Sequence, residues 1–115
     1  MIEKVVAYTN ALNRLDLDAV ERMFAENAIY ISSGMDGAYH GRSSIMAAFR
    51  AYFANHPDQV NFDKHLKRVG PNDVQSDWML TATNAQTGKR ISRKGIQVIT
   101  FNEAGLIQVV QVMDF

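Results

Sequence analysis

The chain contains no cysteine, and this absence removes several kinds of site at once. It leaves no disulfide framework, no thiol nucleophile and no thiolate metal site. An excess of either charge is also missing, since 12 Lys and Arg balance 12 Asp and Glu. With no basic field to attract nucleic acid or anionic lipid, neither is expected as a partner. The sequence also lacks a long apolar run, so we expect no membrane span or signal peptide and a cytoplasmic location.

What the chain does have is enough apolar material for one core. Hydrophobic residues make up 47% of its 115 residues, and a chain of this length can bury a core without disulfides or a structural metal. We therefore expect a single domain spanning residues 1–115.

The first part of the chain has the pattern of two helices followed by a strand. Apolar residues recur at three- and four-residue spacing at Ile2, Val5, Tyr8 and Leu12. This predicts an amphipathic helix whose stripe turns Tyr8 inward. Asp16 and Asp18 can accept hydrogen bonds from free N–H groups, which predicts the start of a second, short helix. Residues 28–32 favour a strand, and the glycine-rich residues 33–41 favour a loop.

A third helix and a run of strands complete the predicted order. Ser43 or Ser44 can cap a helix that ends before Pro57. From Val60 onward, clusters of turn residues separate four extended segments, which predicts an antiparallel meander. Helices followed by such a sheet form an α+β arrangement, in which the helices cover one face of the sheet.

The strand predicted for residues 90–101 has apolar residues on both faces. Alternation assigns one face to Gly95, Gln97, Ile99 and Phe101, and the other to Ile96, Val98 and Thr100. One face can pack on the helices, whereas the other needs a cover of its own. We therefore predict a homodimer that packs sheet against sheet.

Four segments together resemble the nuclear transport factor 2-like superfamily, and within it the SnoaL-like polyketide cyclases and the ketosteroid isomerases. They are ALNRLDLDAVERMFAENAIY, the loop ending in HGRSSI, the strands around TGKR, and the closing FNEAGLIQVVQVMDF. The resemblance covers nearly the whole chain and implies a cone: three N-terminal helices on a curved, mostly antiparallel sheet, enclosing a small apolar ligand. It identifies an architecture better than a reaction.

The ketosteroid isomerase pattern carries over only in part. The resemblance places the oxyanion-stabilising tyrosine at Tyr8, the general base at Ser32 and the second acid at Gln97. A serine without an adjacent base is a poor proton acceptor, and a glutamine stabilises developing charge less than a neutral acid does. Steroid isomerisation is therefore not expected, and Ser32 and Gln97 are predicted to line the ligand pocket.

The cyclase resemblance points to the other end of the chain. It places an acid/base aspartate at Asp114, on a row with Val110 and Val112. An apolar setting would raise the pKa of this carboxyl and suit it to proton transfer near neutral pH. A fraying chain end is the alternative for Asp114. Asp36, in the glycine-rich loop, is a second candidate at the pocket mouth.

The remaining candidates belong to the wall of the pocket or to its surroundings. Trp78 and Phe49 are predicted as core or ligand-binding wall, two alternatives that the sequence leaves open. Tyr8 is either a donor to a ligand or a core tyrosine bonded to backbone. The spacing of the three histidines is not that of metal ligands, and that of the glycines is not that of a phosphate loop. No metal and no cofactor are expected.

Three functions are compatible with the sequence. The first is a cofactor-independent cyclase or isomerase that acts on a small apolar carbonyl compound, with Asp114 as acid/base and Tyr8 as donor. The second is a non-catalytic dimeric ligand-binding or assembly module. The third is an epoxide hydrolase or dehydratase using Asp63 and His65, although a solvated row with Asn61 and Lys67 is the simpler interpretation of those residues. The sequence does not decide whether the chain is an enzyme.

Overall fold

The computed structural model describes residues 1–35 and 37–115. Within these ranges the chain forms three α-helices, six strands and one short 3₁₀ turn at Ser33–Met35. The helices and strands are α1 (Ile2–Asn13), α2 (Leu17–Met23), β1 (Phe24–Ser32), β2 (Gly37–His40), α3 (Arg42–Asn55), β3 (Val60–Arg68), β4 (Asp73–Thr83), β5 (Arg90–Phe101) and β6 (Ile107–Asp114). The predicted α+β class is confirmed. No helix among the described residues is long and apolar enough to cross a membrane.

The six strands form one open, curved sheet in the order β2-β1-β6-β5-β4-β3. Strands β3 to β6 pair antiparallel in sequence order, which confirms the predicted meander. Strand β1 joins the meander by pairing parallel with β6, and β2 extends the edge as its antiparallel neighbour. As a result, the N-terminal third of the chain and the last strand lie side by side.

The core lies between the helices and one face of the sheet. The Tyr8 side chain on α1 is buried, as its position on the apolar stripe predicts. Its ring meets Phe24 edge-on at 5.8 Å, and Phe49 on α3 meets both Phe24 at 6.1 Å and Tyr30 at 4.9 Å. Edge-to-face aromatic pairs at these distances are favourable beyond the area they bury. This cluster fixes the spacing of α1 and α3 above the sheet.

The start of α3 differs from its prediction. The helix begins at Arg42 and its N-cap is Gly41, with no side-chain cap, so the expected caps Ser43 and Ser44 are wrong. Residues 37–40 are also more regular than a loop, because β2 pairs with β1 there. The chain turns from β2 into α3 at Gly41, whose φ of 90° suits a glycine. Because the turn fixes the helix start, Ser43 and Ser44 are the second and third helical residues and have no capping role.

A bulge in β3 changes which of its side chains face inward. His65 has a φ of 53°, and the register with β4 shifts between Lys64 and Lys67. An extra residue of this kind reverses the alternation beyond it. Asn61 and Asp63 precede the bulge and face inward, Asn61 buried and Asp63 half-buried, whereas His65 lies at the bulge and is exposed. The predicted solvated row is thus wrong at Asn61, and the alternative to it, a dyad of Asp63 and His65, does not form because His65 binds Asp77.

Candidate functional site

The cone encloses a small cavity of about 20 Å³. Its wall consists of aromatic and aliphatic side chains with a few polar groups: Tyr8, Leu12, Tyr30, Met35, Phe49, Tyr52, Phe53, Asn61, Trp78, Leu80, Arg93 and Gln97. Four of the predicted site residues, namely Tyr8, Phe49, Trp78 and Gln97, thus lie around one space. A volume of this size holds about one water molecule.

Tyr8 is the most enclosed polar group of this wall, with 1% of the residue exposed. Burial raises the pKa of its phenol well above the ordinary value of 10, and the neighbouring Tyr30 and Asp63 raise it further. The hydroxyl therefore stays protonated at neutral pH. A neutral phenol in a water-poor cavity can donate a hydrogen bond to a carbonyl oxygen.

Asp114 lies at the end of β6 and is bound to Arg93 rather than frayed. Arg93 Nε donates to Asp114 Oδ2 at 2.7 Å and Arg93 Nη2 donates to Asp114 Oδ1 at 3.0 Å. Hydrogen bonding to Arg93 lowers the pKa of this carboxyl, and the nearby positive charge and Ser33 lower it further against the effect of burial. The expectation of a raised pKa is therefore wrong, because it considered only the neighbouring valines of β6 and not Arg93 on the adjacent strand β5.

Arg93 is held by more than the aspartate. Its guanidinium lies 4.8 Å from the Trp78 ring centroid, and Nη2 also donates to the buried Ser32 Oγ at 3.0 Å. Nη1 donates to the Tyr52 hydroxyl at 3.4 Å. The guanidinium also packs so closely on Gly34 that a β-carbon there would overlap it. Ser32, which the resemblance places at the base position, is thus an acceptor for this arginine.

Asp63 forms a second polar cluster with neutral partners. Its carboxylate accepts hydrogen bonds from Thr9 Oγ1, from Ser76 Oγ at 2.7 Å and from Gln97 Nε2 at 3.2 Å. Within the described residues it makes no ion pair, and His65 binds Asp77 instead at 2.6 Å. Gln97, predicted at the second acid position, therefore links the cavity wall to a carboxylate on β3.

Arg93 and Gly34 belong to the candidate site but are not predicted from the sequence. The alternation that predicts an inward Gly95 and Gln97 also predicts an inward Arg93 when it is extended by two residues. No comparable signal exists for Gly34, because its contact with Arg93 depends on the 3₁₀ turn. The candidate Asp36 lies outside the described residues. In the part of the chain that is described, no three His, Asp or Glu side chains are grouped to hold a metal ion.

The family model of the SnoaL-like domain matches residues 5–110. The chain therefore belongs to the SnoaL-like domain family. Its cone is the nuclear transport factor 2-like fold, as comparison with solved structures also shows. A search of curated proteins found no match.

Three solved structures illustrate the likeness. The epoxide hydrolase/cyclase-like enzyme SalBIII, described with pyran ring formation in the polyether salinomycin, is 24% identical with a TM-score of 0.86, over 98% of this chain and 88% of SalBIII. Bal32a, from a soil-derived mobile gene cassette, is 23% identical with a TM-score of 0.88, over 98% of this chain and 87% of Bal32a. RV0760c of Mycobacterium tuberculosis, in complex with estradiol-17beta-hemisuccinate, is 14% identical with a TM-score of 0.83, over 95% of this chain and 88% of RV0760c. At these identities the likeness establishes the fold.

Proposed function

We propose that this SnoaL-like domain binds a small, mostly apolar carbonyl compound inside the cone and moves a proton on it without a cofactor. One observation carries the proposal: polar groups on two helices and four strands converge on a single aromatic-walled cavity. Ligand pockets typically combine such an apolar wall with a few placed polar groups. SalBIII is an enzyme of the same fold, and RV0760c is seen with a steroid ester bound.

Tyr8 is the hydrogen-bond donor of the proposed reaction. Because burial keeps its phenol neutral, Tyr8 can donate to the carbonyl oxygen as negative charge develops there. The proton comes from the carbon next to the carbonyl. The electrons of the broken C–H bond form a carbon–carbon double bond, and the π electrons of the carbonyl group move to its oxygen. The same proton acceptor then returns the proton to that carbon or to another one.

We assign the proton acceptor to Asp63 rather than to Asp114. Arg93 forms two hydrogen bonds to Asp114 and stabilises its ionised form, which weakens it as a base. Asp63 is hydrogen-bonded to neutral groups, one of which is the Gln97 amide of the cavity wall. The role of Asp114 is then to hold Arg93 in place. Ser32 and Gln97 carry no carboxylate, and the proposed reaction is therefore not the familiar steroid isomerisation.

Deuterium exchange tests this assignment without knowledge of the natural substrate. The bicyclic ketone 2-tetralone in D₂O is expected to take up deuterium beside its carbonyl faster with the protein than without it. Asp63→Asn should abolish this increase, and Tyr8→Phe should reduce it about 100-fold by removing one oxyanion donor. Asp77→Asn is the matched control, since Asp77 is an exposed carboxylate on the same sheet. If Asp63→Asn takes up deuterium at the wild-type rate and Asp114→Asn is inactive, the proton acceptor is Asp114 instead.

The absence of acids at Ser32 and Gln97 favours a second candidate, a non-catalytic ligand-binding or assembly module. Trp78 is the only tryptophan of the chain and lies in the cavity wall, so its fluorescence reports binding directly. If 2-tetralone changes this fluorescence but no variant alters its deuterium uptake, the domain binds without catalysis. If native mass spectrometry finds no retained small molecule and no ketone binds, the proposal of a ligand pocket is wrong.

We also propose that the outer face of the sheet forms a homodimer. Phe62 on β3 and Met113 on β6 are 52% and 48% exposed on this face, and each pairs with a further apolar residue, Met79 and Ile96. Burial of such a surface in a second copy is favourable. Light scattering at micromolar concentration should give a dimer mass for the wild type and a monomer mass for Met113→Lys. A monomeric wild type contradicts the dimer.

A further inference from the structure

A second space lies beside α3, outside the cone. This vestibule is a surface depression of about 520 Å³, a size typical of ligand pockets. Small side chains of α3 form part of its wall, including Ala48 and Ala51, with Tyr39 of β2 opposite.

The vestibule and the interior cavity share part of their walls. Met35 and Tyr52 line both spaces. The interior cavity alone has room for about one water molecule, so a ligand of several carbon atoms can enter the cone only if part of this wall moves. Methionine is flexible, and the Tyr52 hydroxyl has only a long contact with Arg93. A movement of these two side chains would therefore join the two spaces.

Arg93 has one nitrogen that is poorly satisfied, and it faces this wall. Nε and Nη2 make hydrogen bonds of 2.7 to 3.0 Å, with Asp114 and Ser32. Nη1 has the single contact of 3.4 Å with the Tyr52 hydroxyl, longer than an ordinary N–H···O bond. An oxygen atom of a ligand that replaces this hydroxyl would gain a charge-assisted hydrogen bond.

The charge around Arg93 indicates which oxygen is preferred. Asp114 already balances the guanidinium, and both side chains are largely removed from water, at 23% and 13% exposed. A ligand carboxylate would add an uncompensated negative charge beside Asp114, which is costly at a partly buried site. A ketone, ester or hydroxyl oxygen accepts the same hydrogen bond without that cost.

We propose that cavity and vestibule form one elongated site when Tyr52 moves aside. The reactive carbonyl lies at Tyr8, a second, uncharged oxygen accepts from Arg93 Nη1, and an apolar tail lies in the vestibule against Ala48 and Ala51. This inference rests on the proposed function, that the cone binds a small carbonyl compound, and adds the class of ligand: a neutral, tailed compound with two oxygen functions.

Three matched compounds test the charge and the tail. Methyl 3-oxooctanoate has both neutral oxygens and the tail, freshly prepared 3-oxooctanoate replaces the ester by a carboxylate, and methyl acetoacetate lacks the tail. Measured by Trp78 fluorescence, methyl 3-oxooctanoate should bind at least about tenfold more tightly than each of the other two. Equal or tighter binding of the acid overturns the inference.

A pair of variants on α3 tests the vestibule. Ala51→Leu fills part of it and should weaken the binding of methyl 3-oxooctanoate about tenfold, while the affinity for methyl acetoacetate stays unchanged. Ala54→Leu is the control, because Ala54 is an equally exposed residue of α3 that does not line the vestibule. Circular dichroism and thermal unfolding check that both variants fold. An Ala51→Leu protein with wild-type affinity for the tailed ester overturns the inference, whereas failure of 2-tetralone to bind overturns the proposed function as well.

Discussion

Two polar clusters inside the same cone stabilise their carboxylates in different ways. The arginine cluster consists of Arg93, Asp114, Ser32 and Tyr52, and the Asp63 cluster consists of Asp63, Thr9, Ser76 and Gln97. The first balances its carboxylate with a cation. The second surrounds its carboxylate with neutral donors only, within the described residues.

Under the proposed function, this difference separates a structural carboxylate, Asp114, from a reactive one, Asp63. A guanidinium that forms two hydrogen bonds to a carboxylate favours the ionised form strongly and opposes protonation. Hydroxyl and amide donors also stabilise the ionised form, but they leave the cluster without a compensating charge. The same fold can therefore use Asp114 to close the sheet onto the 3₁₀ turn and keep Asp63 for proton transfer.

The largest expected effect comes from removing the cation of the arginine cluster. Arg93→Met keeps most of the side-chain volume but leaves Asp114 without its partner and Ser32 without a donor. Breaking a buried ion pair costs 3 to 5 kcal/mol, and the partial exposure of Asp114 places this one at about 3 kcal/mol of unfolding free energy. Urea denaturation measures it. The Arg93→Met, Asp114→Asn double variant should recover part of the loss. If the losses in unfolding free energy of the two single variants simply add, the two residues do not stabilise each other as an ion pair.

Acid should weaken the arginine cluster. Because the native pKa of Asp114 is lowered relative to 3.8, the unfolded chain binds more protons than the native one between the two values. The stability that Asp114 contributes is therefore complete above its unfolded pKa and is lost as the pH falls through the lowered native pKa. Unfolding free energies of wild type and Asp114→Asn should converge between about pH 5 and pH 2. If the two plots of unfolding free energy against pH stay parallel, Asp114 does not contribute this pH-dependent stability.

Gly34 shows what the sequence could not reveal about this cluster. The helices, the meander and the inward face of β5 follow from periodicity, because apolar spacing records which face is buried. The pairing of Arg93 with Asp114 and their contact with Gly34 depend on the register of β5 with β6 and on a 3₁₀ turn. These are relations between distant segments, and no local pattern records them.

The β3 bulge is the second point where periodicity failed, and it affects the other cluster. Strict alternation gives Asp63 and His65 the same face, but the positive φ of His65 reverses the strand after Asp63. A pattern of strict alternation does not predict one inserted residue of this kind. Alternation therefore predicts a solvated Asp63, whereas the structure half-buries it against Thr9 and Ser76.

A smaller effect is expected from a methyl group on Gly34. In Gly34→Ala the new β-carbon meets the Arg93 guanidinium, which must shift away from Asp114 and Ser32. Crowding of this kind costs about 1 to 2 kcal/mol, measurable by urea denaturation. The cost should shrink in the Arg93→Met background, where the guanidinium is gone. An equal cost in both backgrounds would show that Gly34 serves the turn rather than the arginine.

The smallest effect on stability should come from the Asp63 cluster, although its effect on function should be the largest. In Asp63→Asn the amide oxygen can still accept from Ser76 and Gln97, and the Thr9 hydroxyl can turn to accept from the new amide nitrogen. Since no cation loses its partner, the cost is about 1 kcal/mol. A folded variant that has lost deuterium exchange would assign Asp63 to chemistry, whereas a loss as large as that of Arg93→Met would make both clusters structural.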